Sequence, residues 1–125
     1  MRKILHFLLL VLFLSPATWA QVTTLPAIVT ETGQVEITFD ATLGNRGLMG
    51  YTGDVYAHTG VITNLSTSGS DWKYAPTWGD NSSKYKMTKV ETNKWKLVIS
   101  PDIKTWYGVS ATAQVLKLAF VFRSA

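Results

Sequence analysis

From Val35 to Ala41 apolar and polar residues alternate without a break. Val35, Ile37, Phe39 and Ala41 share one side, and Glu36, Thr38 and Asp40 take the other. Side chains of a strand point alternately to opposite faces, so the run predicts a strand with one face buried and one in water. The pattern returns over 114–123, where Leu116, Leu118, Phe120 and Phe122 form one face and Val115, Lys117, Ala119, Val121 and Arg123 the other. From Gln21 onward no stretch sustains the 3.6-residue period of a helix, and β-branched and aromatic residues dominate.

Residues 84–99 read as a hairpin turning at Thr92, with Val90 opposite Lys94 and Met87 opposite Leu97. That register gathers Tyr85, Met87, Trp95, Leu97 and Ile99 on one face, together with Lys89. A slip of one residue would invert the two faces. The opposite face, rich in lysine, fits a solvated edge that resists aggregation. Residues 22–30 are Thr-rich and hold Pro26, which predicts an edge strand. Asp54–Thr63 is a further strand, interrupted at Gly60. Leu43–Gly53 and Asn64–Asp71 read as loops, and Ser100-Pro101-Asp102 fits the N-cap and first turn of a short helical segment, with Ser and Pro as the capping residues. Trp106 and Tyr107 are expected to cover the bottom of the core. Short strands at regular spacing with Gly and Asn turns predict an all-β, antiparallel β-sandwich.

The first twenty residues read as an address. Arg2 and Lys3 precede the run Ile4–Leu14, apolar but for His6, and Thr18-Trp19-Ala20 places small residues at the cleavage positions. This is the layout of a secretory signal peptide cleaved after Ala20. The run is shorter than the about 20 residues of a membrane span. Cleavage leaves 105 residues, and loss of Arg2 and Lys3 takes the basic count from 12 to 10 against 8 acids, so the net charge falls from +4 to +2. An exported chain of such low charge, without a dense basic stripe, is not expected to bind nucleic acid. The expected location is secreted, periplasmic or cell-surface. Domain boundaries follow: 1–20 signal peptide, 21–31 an N-terminal edge segment, 32–125 the β-sandwich module.

Catalytic chemistry finds little footing. The chain has no Cys, and after cleavage its one His is His58. No G-x-S-x-G elbow occurs, and Asp54, Asp71 and Asp80 are scattered through loop-like sequence without a glycosidase spacing. No catalytic residue, metal site or cofactor is expected. Asp80-Asn81 fits a turn better than a calcium site. The Asn64-Leu65-Ser66 and Asn81-Ser82-Ser83 sequons fit surface loops.

The aromatic residues are more informative. Trp72, Tyr74 and Trp78 lie in Asp71–Asp80, a segment with Pro76 and Gly79 that does not alternate. A loop indole is either a plug for the end of a sandwich or a platform on which the C–H face of a sugar ring stacks. His58, Asp71, Lys73, Asp80 and Asn81 are the polar groups expected at the rim of such a platform.

The order of short motifs carries a resemblance. Asp54-Val55-Tyr56-Ala57-His58, then Trp72, Tyr85-Lys86-Met87, Trp95-Lys96-Leu97-Val98-Ile99 and Leu118-Ala119-Phe120-Val121-Phe122-Arg123 together resemble the starch-binding β-sandwich modules appended to secreted bacterial α-amylases. The likeness spans about residues 32–125. It implies an immunoglobulin-like β-sandwich that binds α-glucan, starch or a malto-oligosaccharide, without catalysis. It points to His58, at the end of its strand, and Trp72 as sugar contacts, with Tyr74 and Trp78 as weaker candidates; Trp78 also fits a packing plug. Modules of this kind continue past the Phe-x-Phe strand into an Asp-Gly turn and a closing segment, whereas this sequence ends at Ser124-Ala125. The expectation is a closing element that is absent or a fragment of a longer protein, with a catalytic domain of the glycoside hydrolase type as its possible partner in cis. A structural spacer that binds nothing is the alternative from another class.

Overall fold

The computed structural model describes residues 20–125 of the chain; the expected signal sequence falls, except for Ala20, outside the described residues. Among these residues six strands form two antiparallel sheets. They are β1 (Val22–Leu25), β2 (Val35–Asp40), β3 (Val55–Thr63), β4 (Thr88–Glu91), β5 (Lys94–Ile99) and β6 (Val115–Ser124). One sheet has the order β1-β2-β5-β4, and the second pairs β3 with β6. Among the described residues the fold is all-β apart from a 3₁₀ turn at Ser83–Tyr85 and one short helix, α1 (Ile103–Tyr107).

The alternation in β2 is realised residue by residue. Val35, Ile37 and Phe39 are buried while Glu36, Thr38 and Asp40 are half-buried. Strand β2 pairs with β5 so that Phe39 lies opposite Trp95 and Ile37 opposite Leu97. Phe39 stacks on Phe122 of β6 at 4.3 Å between ring centroids, so the core lies between the two sheets. Around this contact Val55, Ala57, Val61, Met87, Trp95 and Ile99 are buried.

The hairpin keeps its expected register where it is regular, with Thr88 opposite Lys96 and Lys89 opposite Trp95. The register then shifts between Lys89 and Glu91, which leaves Val90 in a bulge and not opposite Lys94. Asn93 takes the left-handed conformation at the turn, φ 65°. The first strand of the hairpin begins only at Thr88, because Ser83–Tyr85 coils into the 3₁₀ turn. Tyr85 is therefore half-buried and sets its ring edge-on to Trp106, 5.7 Å away, outside the main core.

Three further expectations change. Strand β1 stops at Leu25 because Pro26 has no N–H to continue the ladder. Gly60 does not interrupt β3, which runs unbroken through it. The N-cap of α1 is Asp102, two residues beyond Ser100: its carboxylate accepts the Thr105 N–H at 2.9 Å and the Thr105 hydroxyl at 2.8 Å. Gly108 closes the helix at φ 76°. The helix buries Ile103 and Tyr107, and Trp106 packs against the core cluster as expected.

Candidate functional site

The site is built on the side of β3 that faces away from the core. Val55, Ala57, Thr59 and Val61 point inward and are buried. The residues between them, Tyr56, His58 and Ile62, point outward, with Gly60 among them. Pairing with β6 sets Arg123 beside Tyr56, Val121 beside His58 and Ala119 beside Gly60. His58 is thus the fourth residue of a nine-residue strand, not its end.

The segment after β3 folds back over this face. Lys73 makes a two-way backbone bridge with Val61: the Val61 N–H donates to the Lys73 carbonyl at 3.0 Å, and the Lys73 N–H to the Val61 carbonyl at 2.8 Å. The bridge seats Trp72 over Gly60. A Cβ at position 60 would lie 3.0 Å from the Lys73 carbonyl oxygen and 3.2 Å from the Trp72 Cβ. A glycine there is what permits this close approach.

Three of the four sequence candidates come together as a result. The Trp72 indole lies nearly parallel to the His58 imidazole, 5.9 Å between centroids and 26° between planes. Trp78 meets the same imidazole edge-on at 4.8 Å and 65°. The two indoles are therefore not coplanar. Trp78 is 62% exposed, which excludes a role as a packing plug. Tyr74 departs from the group. It has φ 58°, which swings the chain away, and its hydroxyl accepts the Ser110 N–H at 3.4 Å near the α1–β6 loop.

Arg123, which the sequence marked only as an outward residue of the last strand, organises the rim. Its guanidinium lies 5.4 Å from the Tyr56 ring centroid and 5.8 Å from that of Trp78. Its Nη2 donates to the Asp80 carbonyl at 2.7 Å and to Asn81 Oδ1 at 2.8 Å. Arginine thereby ties the loop that carries Trp78 to the end of β6. The only hint in the sequence was the outward position of Arg123; its partner Tyr56 lies 67 residues away in the chain.

The polar candidates divide in the same way. Asp71 and Lys73 pair with each other at 3.1 Å, and Asp71 also accepts the Thr67 N–H at 2.9 Å. These bonds, the Thr67 one first, hold the Asp71 carboxyl below the ordinary carboxylate range. The Ser82 N–H does the same for Asp80 within its own turn. His58 makes no side-chain hydrogen bond among the described residues. Burial, and then the charge of Arg123, push its pKa below the ordinary imidazole value. Near neutral pH it is an uncharged ring with one donor and one acceptor nitrogen. Among the described residues no group of three or more His, Cys, Asp or Glu is placed to hold a metal ion.

A shallow aromatic face with a neutral imidazole at its centre is suited to ring stacking with one or two hydrogen bonds. A scan against protein-family models finds no match, and no curated protein is significantly similar to the chain.

Proposed function

We propose that the chain is an exported, immunoglobulin-like β-sandwich module that binds α-glucan without catalysing its cleavage. The observation that carries the reading is the His58–Trp72–Trp78 cluster, three flat rings gathered on an outer sheet face with one indole largely in solvent. Sugar C–H faces stack on such rings, and the imidazole nitrogens serve the hydroxyls. Because the two indoles are tilted to one another, a curved α-linked chain fits them better than a flat β-linked one. The order β1-β2-β5-β4 against β3-β6 supports the sandwich, as it fits the A-B-E-D and C-F strands of an immunoglobulin-like domain. The role of such a surface is to keep an enzyme or a cell envelope close to polysaccharide. The export part of the reading rests on residues 1–20 of the sequence.

Affinity electrophoresis tests the binding. Wild type should be retarded in native gels containing amylopectin and run freely in gels containing a soluble cellulose ether. Trp72→Ala and Trp78→Ala should lose the retardation. Free migration of the wild type in amylopectin overturns the reading. Retardation that survives in both variants places the site elsewhere.

A further inference from the structure

We propose that Arg123 is a positioning residue for glucan: it touches no sugar, and sets affinity by holding the Trp78 indole in its stacking orientation before the ligand arrives. The inference rests on the α-glucan reading and names a determinant of that same site. Trp78 is 62% exposed, so burial does not hold its ring. A side chain that moves freely before binding and is fixed after it loses affinity to the ordering. An exposed indole serves as a platform only if other contacts fix it in advance.

The local chain supplies part of that hold. Trp78 and Gly79 are the central residues of a turn closed by the Asp80 N–H, which donates to the Thr77 carbonyl at 3.2 Å, and Gly79 takes φ 89° there. Such a turn fixes its own shape but not its place on the sheet. The Val61–Lys73 bridge anchors the segment before Trp78. Arg123 anchors it after Trp78. Its Nη2 donates to the carbonyl of Asp80, the last residue of the turn, at 2.7 Å and to Asn81 Oδ1 at 2.8 Å. The guanidinium is also within cation–π reach of two rings, 5.4 Å from the Tyr56 centroid and 5.8 Å from that of Trp78. Tyr56 is 7% exposed and lies opposite Arg123 in the β3–β6 register, so it is a fixed support. One planar group thus links the sheet, the foot of the turn and the indole the turn carries.

The same bonds argue against direct contact with sugar. Nη1 donates to the Ser124 carbonyl at 2.8 Å, Nη2 serves two acceptors, and Nε is buried. Of the five N–H donors of a guanidinium, that leaves little for a hydroxyl. Lysine would keep the charge but not the planar fork that bonds two acceptors while lying against a ring. Charge and geometry are therefore separable by substitution.

The test labels the chain with 5-fluorotryptophan and assigns the Trp78 fluorine resonance by its loss in Trp78→Phe. Without sugar, the Trp78 resonance of Arg123→Lys and Arg123→Met should move toward that of free fluorotryptophan, while the resonance of buried Trp95 stays in place. Both variants should bind amylopectin about two- to tenfold more weakly in affinity gels, the loss expected when one ordered side chain is set free. Asn81→Ala, an exposed change that removes one of the two loop bonds, should fall between wild type and these variants in both readouts. If the Trp95 resonance moves as well, the arginine variants have lost their fold, and Asn81→Ala decides by the same two readouts. Weakened retardation with an unmoved Trp78 resonance would make Arg123 a direct sugar contact and overturn the proposal. So would a displaced Trp78 resonance with full retardation, or an Arg123→Lys variant that matches wild type in both. Wild type that runs freely in amylopectin overturns the glucan reading itself, and the proposal with it.

Discussion

The two faces of β3 use neighbouring residues for opposite ends. Thr59 points inward, is fully buried, and spends its hydroxyl on the Tyr107 hydroxyl at 2.6 Å and the Ala119 carbonyl at 2.7 Å. His58 points outward, stays partly exposed, and lies between two indoles without a side-chain hydrogen bond among the described residues. A polar group inside must be satisfied by the protein itself, because no water reaches it. A polar group outside can be left for a ligand. On the proposed reading the inner face answers for stability and the outer face for recognition, and substitutions on the two should separate these quantities.

The largest effect is expected on the inner side. Phe39→Ala removes a ring that stacks on both Phe122 and Trp95, and should cost about 3–5 kcal/mol in chemical denaturation. A loss below about 1 kcal/mol would mean that the two sheets do not share a close-packed core. Thr59→Val comes next. It keeps the shape but strands the buried Tyr107 hydroxyl, whose ionisation burial already opposes. The expected loss is about 1–3 kcal/mol. Adding Tyr107→Phe should recover part of it, since both partners are then gone. Strict additivity of the two substitutions would break the assignment of that bond.

On the outer side, Trp78→Ala should move stability by less than about 0.5 kcal/mol while abolishing retardation in amylopectin. A large stability loss without change in binding would reverse the comparison and make the indole structural.

What the sequence disclosed follows the range of the interactions. The faces of β2 and the regular part of the β4–β5 hairpin were legible because alternation and a tight turn are local. The bulge at Val90 was not, since it depends on how Glu91 meets Lys94 across the turn. Gly60 read as a break because glycine weakens strands; its reason here is the approach of Trp72 and Lys73 from a later loop. His58, Trp72 and Trp78 could be marked by type, but nothing local told that Tyr74, between the two indoles in sequence, turns away at φ 58°. Arg123 acquires its role only from the β3–β6 register, which brings Tyr56 beside it.

The smallest effect is a pH dependence that the outer face should contribute. The folded pKa of His58 lies below its unfolded value, through burial first and Arg123 second. Between the two values the unfolded chain binds the proton that the folded chain refuses, so stability must rise with pH across that window. Above the unfolded value, about 6.5, the contribution is fully present, and it is lost as pH falls through the folded pKa. His58→Gln should flatten this part of the profile, measured as denaturation midpoints between about pH 5 and pH 8. It should leave the acid-side contribution of Asp71 and Asp80, whose lowered pKa values act below the ordinary carboxylate range. A profile unchanged by the substitution would mean that the imidazole is as well solvated folded as unfolded. The rings around it would then be too loosely held to act as one stacking surface.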